Sequence, residues 1–173
     1  MKYNAQFKNK EGVEFSVSSM DDYVDTPIDI ADFTKVLNDA SVRTYITDEA
    51  MAKYGHSTTE SLSTDILLHS ALRWQQESEL RFLMRDSRGT AVGIAGITLK
   101  GKTEGELWYY KVSTTQPFMF EALSLVLNFV KTEGVKKLVA HFELDNLRSL
   151  HILEKLGFET SKPGEMFLNL AAK

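Results

Sequence analysis

The sequence predicts a mixed α/β fold, a central sheet of about six to seven strands flanked by helices. Three observations predict it. Apolar residues recur at helical spacing over residues 26 to 76, the period drops to two over residues 80 to 113, and the last third alternates between the two patterns. The 173 residues are 43% hydrophobic and 25% charged, a composition that suits one globular domain over 1–173 and excludes a disordered or collagen-like chain.

Each element has its own signal. Val13, Phe15 and Val17 alternate and are expected to pair back on Tyr3 to Phe7 through the turn residues Asn9 to Gly12. Thr26-Pro27 starts a helix, with Pro where its missing N–H has no partner, and Ile30, Phe33, Val36, Leu37 and Ala40 form its apolar stripe. A short helical stretch lies around Ser41 to Met51. Residues 58 to 76 read as one long amphipathic helix with a Thr cap, an acidic first turn, and Leu62, Ile66, Leu67, Ala71 and Trp74 on one face. Leu80 to Asp86, Thr90 to Lys100 and the segment ELWYYKVS then make three consecutive antiparallel strands joined by glycine-containing turns. A helix over 118–133, a strand over 137–142, a helix over 146–156 and a strand over 165–170 follow, and this order implies parallel crossovers on a mixed sheet. Gly134 and Gly157 stand just past the two helices, where a left-handed cap favours glycine.

Composition excludes whole classes of chemistry. Cys is absent, so no disulfide, thiolate nucleophile, Cys-ligated zinc or Fe–S cluster is available. The net charge is −4, without the basic face that a nucleic-acid backbone requires. The N-terminus lacks the apolar stretch of a signal peptide and no run is long enough to span a membrane, so the expectation is a cytoplasmic protein with no membrane partner. His56, His69, His141 and His151 are scattered without ligand spacing, which predicts no metal. No Gly-x-Ser-x-Gly elbow occurs. The acid is concentrated in the first 99 residues, at Asp21, Asp22, Asp25, Asp29, Asp32, Asp39, Asp48 and Glu49. These read either as caps and solvated helix faces or as an acidic rim that attracts a cationic acceptor.

The most specific stretch is DNLRSLHILEKLGFE, residues 145 to 159. Asp145 or Asn146 caps a helix, Leu150, Leu153 and Leu156 form its buried stripe, and Gly157 ends it. With the element order over roughly residues 26 to 170, VGIAGI at 92 to 97 and FEALSLVLNFV after a loop, this stretch resembles the GNAT superfamily of N-acetyltransferases, most closely the ribosomal-protein N-terminal acetyltransferase branch and its relatives. The resemblance implies a GNAT-like fold with splayed central strands, acetyl-CoA as co-substrate, and transfer of an acetyl group to a small-molecule or peptide amine. It also implies cofactor-binding roles for Trp108, Tyr110, Val112, Thr114, Gln116, Phe118, Met119, Asn146 and Ser149, with Ser149 near the thioester sulfur. Oligomeric state stays open, a homodimer being the arrangement common among relatives.

The sequence departs from the family pattern in two places. Thr114, Thr115 and Pro117 stand where Arg or Gln and two glycines are expected in the pyrophosphate loop, and side chains or a proline there hinder close approach of backbone amides to phosphate. Lys111, Gln116 or Lys131 could supply the missing attraction. The Tyr that donates to the leaving thiolate in many members is replaced by Leu153, which leaves Ser149 as the nearest polar substitute. Glu106 is the candidate base, ahead of Glu104 and Asp86, and His141 at a strand end is a further site candidate. The leading expectation is an N-acetyltransferase acting by direct attack in a ternary complex. The alternatives are a GNAT-fold binding module that no longer uses acetyl-CoA well, or an unrelated sensor whose sheet has no splay beside Tyr109.

Overall fold

The computed structural model describes residues 2–22, 27–113 and 117–172. The N-terminal alternation makes a hairpin of β1 (Asn4–Lys8) and β2 (Glu14–Ser19), with Phe7 opposite Phe15. Buried Asn9 closes its turn, its Oδ1 accepting from the amides of Glu11 and Val13. Five helices follow: α1 (Pro27–Asn38), α2 (Ala40–Arg43), α3 (Asp48–Lys53), α4 (Thr59–Leu68) and α5 (Ser70–Gln75). The long helix predicted over 58–76 is thus two. The Ile66 carbonyl explains the break, because it accepts from the Ser70 hydroxyl at 2.6 Å and from the buried Arg81 guanidinium, which draws it out of the regular ladder.

The remaining elements are β3 (Glu79–Asp86), β4 (Ala91–Leu99), β5 (Glu104–Lys111), α6 (Met119–Thr132), β6 (Lys137–His141), α7 (Leu147–Lys155), β7 (Glu159–Lys162) and β8 (Glu165–Asn169). The sheet has eight strands in the order β1-β2-β3-β4-β5-β6-β8-β7. The strand beyond the predicted six to seven is β7, and all four of its residues are exposed, so no apolar alternation marks it. Among the described residues only β5 and β6 pair in parallel; β7 also runs parallel to β6, with β8 inserted between them. Both crossovers end at the predicted glycines, Gly134 at φ +94° and Gly157 at φ +88°. No helix among the described residues is long and apolar enough to cross a membrane.

The sheet buries both faces. On one, Phe15, Val17, Phe82, Met84, Leu107 and Leu138 pack with Ala122, Leu123, Val126 and Val130 of α6 and Leu153 of α7. On the other, Leu83 and Ile94 pack under Phe33, Val36 and Leu37 of α1 and Ile66 and Leu67 of α4. At about 1.5–3 kcal/mol per fully buried large side chain, these two layers supply most of the drive to fold.

The functional geometry begins where β5 and β6 part. Their pairing ends at Leu107 with Ala140, while β5 stays paired with β4 as far as Lys111 opposite Gly93. The splay beside Tyr109 is therefore present. Buried polar contacts hold β5 down on its other side. The Trp108 ring lies across Gly96 and donates its indole N–H to Glu79 at 2.8 Å; Glu79 also accepts from Thr98 and from Arg81 Nε at 2.7 Å. A Cβ on Gly96 would fall 2.2 Å from the Trp108 ring. Gly96→Ala should therefore destabilise by about 1–3 kcal/mol, as overpacking does, measured by denaturant unfolding; an unchanged midpoint would show that the ring is not seated on that glycine.

Candidate active site

The open edge of β5 presents specific backbone groups. Val112 N–H donates to the Val92 carbonyl at 3.0 Å, so by alternation the amides and carbonyls of Trp108 and Tyr110 face β4. Those of Tyr109 and Lys111 face the gap. Side chains alternate too: Leu107 and Tyr109 point to the α6–α7 layer, whereas Trp108 and Tyr110 pack against the α1–α4 layer. The split is thus approached from two faces of the sheet.

A cavity of about 460 Å³ lies at the split between α2 and the starts of α6 and α7, walled among others by Tyr109, Lys111, Met119, Asn146, Arg148 and Ser149. A second, of about 280 Å³, is walled among others by Tyr45, Trp108, His141, Phe142 and Glu143. The two share Tyr45, Tyr109, Tyr110, Asn146 and Ser149. At this junction Asn146 caps α7, its side chain accepting from the Ser149 amide at 3.1 Å. The Ser149 hydroxyl lies 2.5 Å from the Tyr109 hydroxyl, and burial pushes the Tyr109 phenol up to about 12, with the Ser149 bond acting the other way.

Charge at the first cavity is cationic on two elements. Lys111 is half-buried and its pKa is drawn below the ordinary value by burial first and then by the charge of Arg148, with Asp39 opposing. Arg148 has no ion-pair partner among the described residues. Nearby, α6 begins without a side-chain cap, so its first amides point outward from the positive end of the helix dipole. Ser113 and Pro117 are each held by a neighbour. Asp39 accepts from the Ser113 amide at 2.9 Å and hydroxyl at 2.8 Å while also capping α2 through Ser41, and the Pro117 carbonyl accepts from Asn9 Nδ2 at 3.0 Å.

The other side carries a His between carboxylates. His141 lies 3.9 Å from Glu106 and 3.7 Å from Glu165, and Glu106 is also paired with Lys100 at 2.9 Å. Among the described residues no three His, Asp or Glu side chains form a group able to hold a metal.

The sequence-predicted residues are distributed accordingly. Tyr110, Met119, Asn146 and Ser149 line the first cavity, and Trp108 joins Tyr110, Asn146 and Ser149 at the second. Val112 faces a separate groove beside Asp32 and Asp86. Phe118 is fully buried and stacks on Phe15 at 4.7 Å. Glu106 lines neither cavity, standing beside the paired part of β5 and facing His141. Thr114 and Gln116 lie outside the described residues. The acidic stretch divides into individual contacts: Asp29 with Arg85, Asp32 with Lys35, Asp48 with Arg43, and Asp39 with Ser41 and Ser113. Sequence reasoning did not pair Tyr109 with Ser149 and passed over Arg148; the alternation of WYYK and the first-turn position of Arg148 were the available signals.

The site is thus a split parallel pair beside an uncapped helix start and a capped α7. The model of the GNAT acetyltransferase domain matches residues 24–159, and the chain belongs to that family. No curated protein sequence matches it. Among solved structures it is similar to the ribosomal-protein-S5-alanine acetyltransferase of Vibrio fischeri, at 14% identity, TM-score 0.65, covering 96% of this chain and 97% of that one. It is also similar to the spermidine N-acetyltransferase of Vibrio cholerae in complex with CoA and spermine, at 13% identity, TM-score 0.68, covering 91% and 96%. A third is RimJ of Mycobacterium smegmatis in complex with CoA-disulfide, at 14% identity, TM-score 0.70, covering 96% and 86%.

The Asp39 clamp has a pH signature. Burial opposes ionisation of its carboxyl, but hydrogen bonds from Ser41 and Ser113 outweigh it and hold the pKa at about 2, below the ordinary 3.8. The stabilisation is therefore complete above the unfolded value and is lost as pH falls from about 4 toward 2. Thermal melts across that range should fall more steeply for the wild type than for Asp39→Asn. Parallel curves would show that the clamp contributes nothing.

Proposed function

We propose that the protein is an acetyl-CoA-dependent N-acetyltransferase that transfers the acetyl group to a primary amine by direct attack in a ternary complex. The observation that carries this reading is the unpaired edge of β5 beside a cavity walled by two cations, Lys111 and Arg148. Bound acetyl-CoA would supply the activated acyl group as its thioester. The Tyr109 and Lys111 backbone groups suit an extended pantetheine arm, which would add to the edge as a short strand. Lys111, Arg148 and the uncapped start of α6 suit the pyrophosphate, and their charge takes over part of what the missing loop glycines would do.

The acceptor amine would enter through the second cavity, between Tyr45, the Trp108 and Tyr110 rings and His141. His141 would take the amine proton, and the Glu106 carboxylate 3.9 Å away would act through its charge on the imidazolium so formed, a supporting role. Asn146 acts by capping α7 and so holding Ser149 at the junction. Direct transfer fits because the chain has no Cys and because the Ser149 hydroxyl partners a tyrosine instead of a base. The similar structures named for spermidine and for a ribosomal-protein alanine agree with a primary amine as the acceptor class.

Calorimetry should detect acetyl-CoA binding to the wild type, weakened roughly tenfold or more in Arg148→Ala and in Lys111→Ala, as loss of charge-assisted contacts predicts. His141→Gln should lower kcat about 100-fold at an unchanged acetyl-CoA affinity. A wild-type protein that does not bind acetyl-CoA would overturn the reading.

A further inference from the structure

The hydroxyl pair at the junction of the cavities is not explained by folding alone. Tyr109 reaches it from β5 and Ser149 from the first turn of α7, and both side chains wall both cavities. Tyr109 is set by the strand alternation that seats Leu107 in the core, and Ser149 is set by the Asn146 cap. Two separate elements therefore place a 2.5 Å hydroxyl contact where the two cavities meet.

We propose that Tyr109 is a positioning residue for the acetyl-transfer step: its hydroxyl donates to Ser149 Oγ and so aims the Ser149 hydrogen into the junction, at the sulfur that leaves. The inference rests on the transferase reading above. A serine oxygen has two lone pairs and one rotatable hydrogen, so accepting from Tyr109 leaves that hydrogen free for the cavity. A hydroxyl that is itself a hydrogen-bond acceptor is also polarised into a better donor.

The reaction balances without a proton from tyrosine. The amine nitrogen bonds to the acetyl carbon, the carbon–sulfur bond breaks with its electron pair on sulfur, and the nitrogen proton passes to His141 and then to water. Sulfur leaves as thiolate, hydrogen-bonded by Ser149, and takes its proton from solvent. Burial pushes the Tyr109 phenol up to about 12, above the range in which a thiol titrates, so handing the phenolic proton to the thiolate would be uphill. Tyr109 therefore holds its proton throughout and works through Ser149. The charged groups around the pair are Lys111, Asp145 and Arg148 at the first cavity and His141 and Glu143 at the second.

Tyr109→Phe and Ser149→Ala test this together. Tyr109→Phe should lower kcat about tenfold, Ser149→Ala about 100-fold, and the double variant no more than Ser149→Ala, because both changes remove one aligned donor. The KM for acetyl-CoA should stay within about twofold, and the alkaline limb of kcat should keep its position in Tyr109→Phe. Multiplicative losses, wild-type kcat in Tyr109→Phe, or disappearance of that alkaline limb would overturn the proposal. A readout independent of activity is carbon-13 tyrosine NMR on the ligand-free protein, with Tyr109 assigned by its absence in Tyr109→Phe. Its signal should move in Ser149→Ala; a signal unchanged in Ser149→Ala would overturn the proposal with the transferase reading intact. Failure of the wild type to bind acetyl-CoA by calorimetry would instead overturn both.

Discussion

Everything at the candidate site depends on a hydrogen-bond ladder that stops early. β5 and β6 share a parallel ladder only as far as Leu107 and Ala140, and the next residues of β5 keep their partner on β4 alone. Unpaired backbone groups inside a sheet are costly unless water or a ligand meets them. An interior gap with amides and carbonyls facing into it is therefore a demand for an extended polar partner. The two cavities that meet there are the consequence of that stop.

The gap stays open because each strand is held from its far side. On β5, Trp108 is drawn down over Gly96 and bonded to Glu79, which Arg81 neutralises within the α1–α4 layer. On β6, β8 pairs along the whole strand to His141. The Asn146 cap then begins α7 across the opening. Buried ion pairs add little net stability, since desolvation offsets their attraction, but breaking one is strongly unfavourable. The Glu79–Arg81 pair accordingly reads as a device that fixes where Trp108 lies.

Electrostatics distinguishes the two cavities. Lys111 and Arg148 wall the first, while His141 at the second stands between Glu106 and Glu165. An anion entering the first cavity would meet complementary charge there, which favours that entry over the second. The first-half acidity contributes less to this than composition implied, because Asp29, Asp32, Asp39 and Asp48 are engaged with neighbouring residues.

The sequence by itself determined the alternation of elements, the glycine-ended helices, the capped α7 carrying Asn146 and Ser149, and the exclusion of thiol chemistry, because periodicity, caps and composition are local properties. It missed the break at His69, since the Ile66 carbonyl is captured by Arg81 from a distant strand. It missed β7, whose exposed residues carry no apolar period. Only the tertiary structure decided which hydroxyl stands beside Ser149, that Phe118 belongs to the core, that Glu106 faces His141, and that Arg148 shares a cavity with Lys111. The physical reason is that a ladder's end point and the pairing of side chains across a gap depend on residues 40 positions apart, as Tyr109 and Ser149 are, and no local pattern encodes a contact between them.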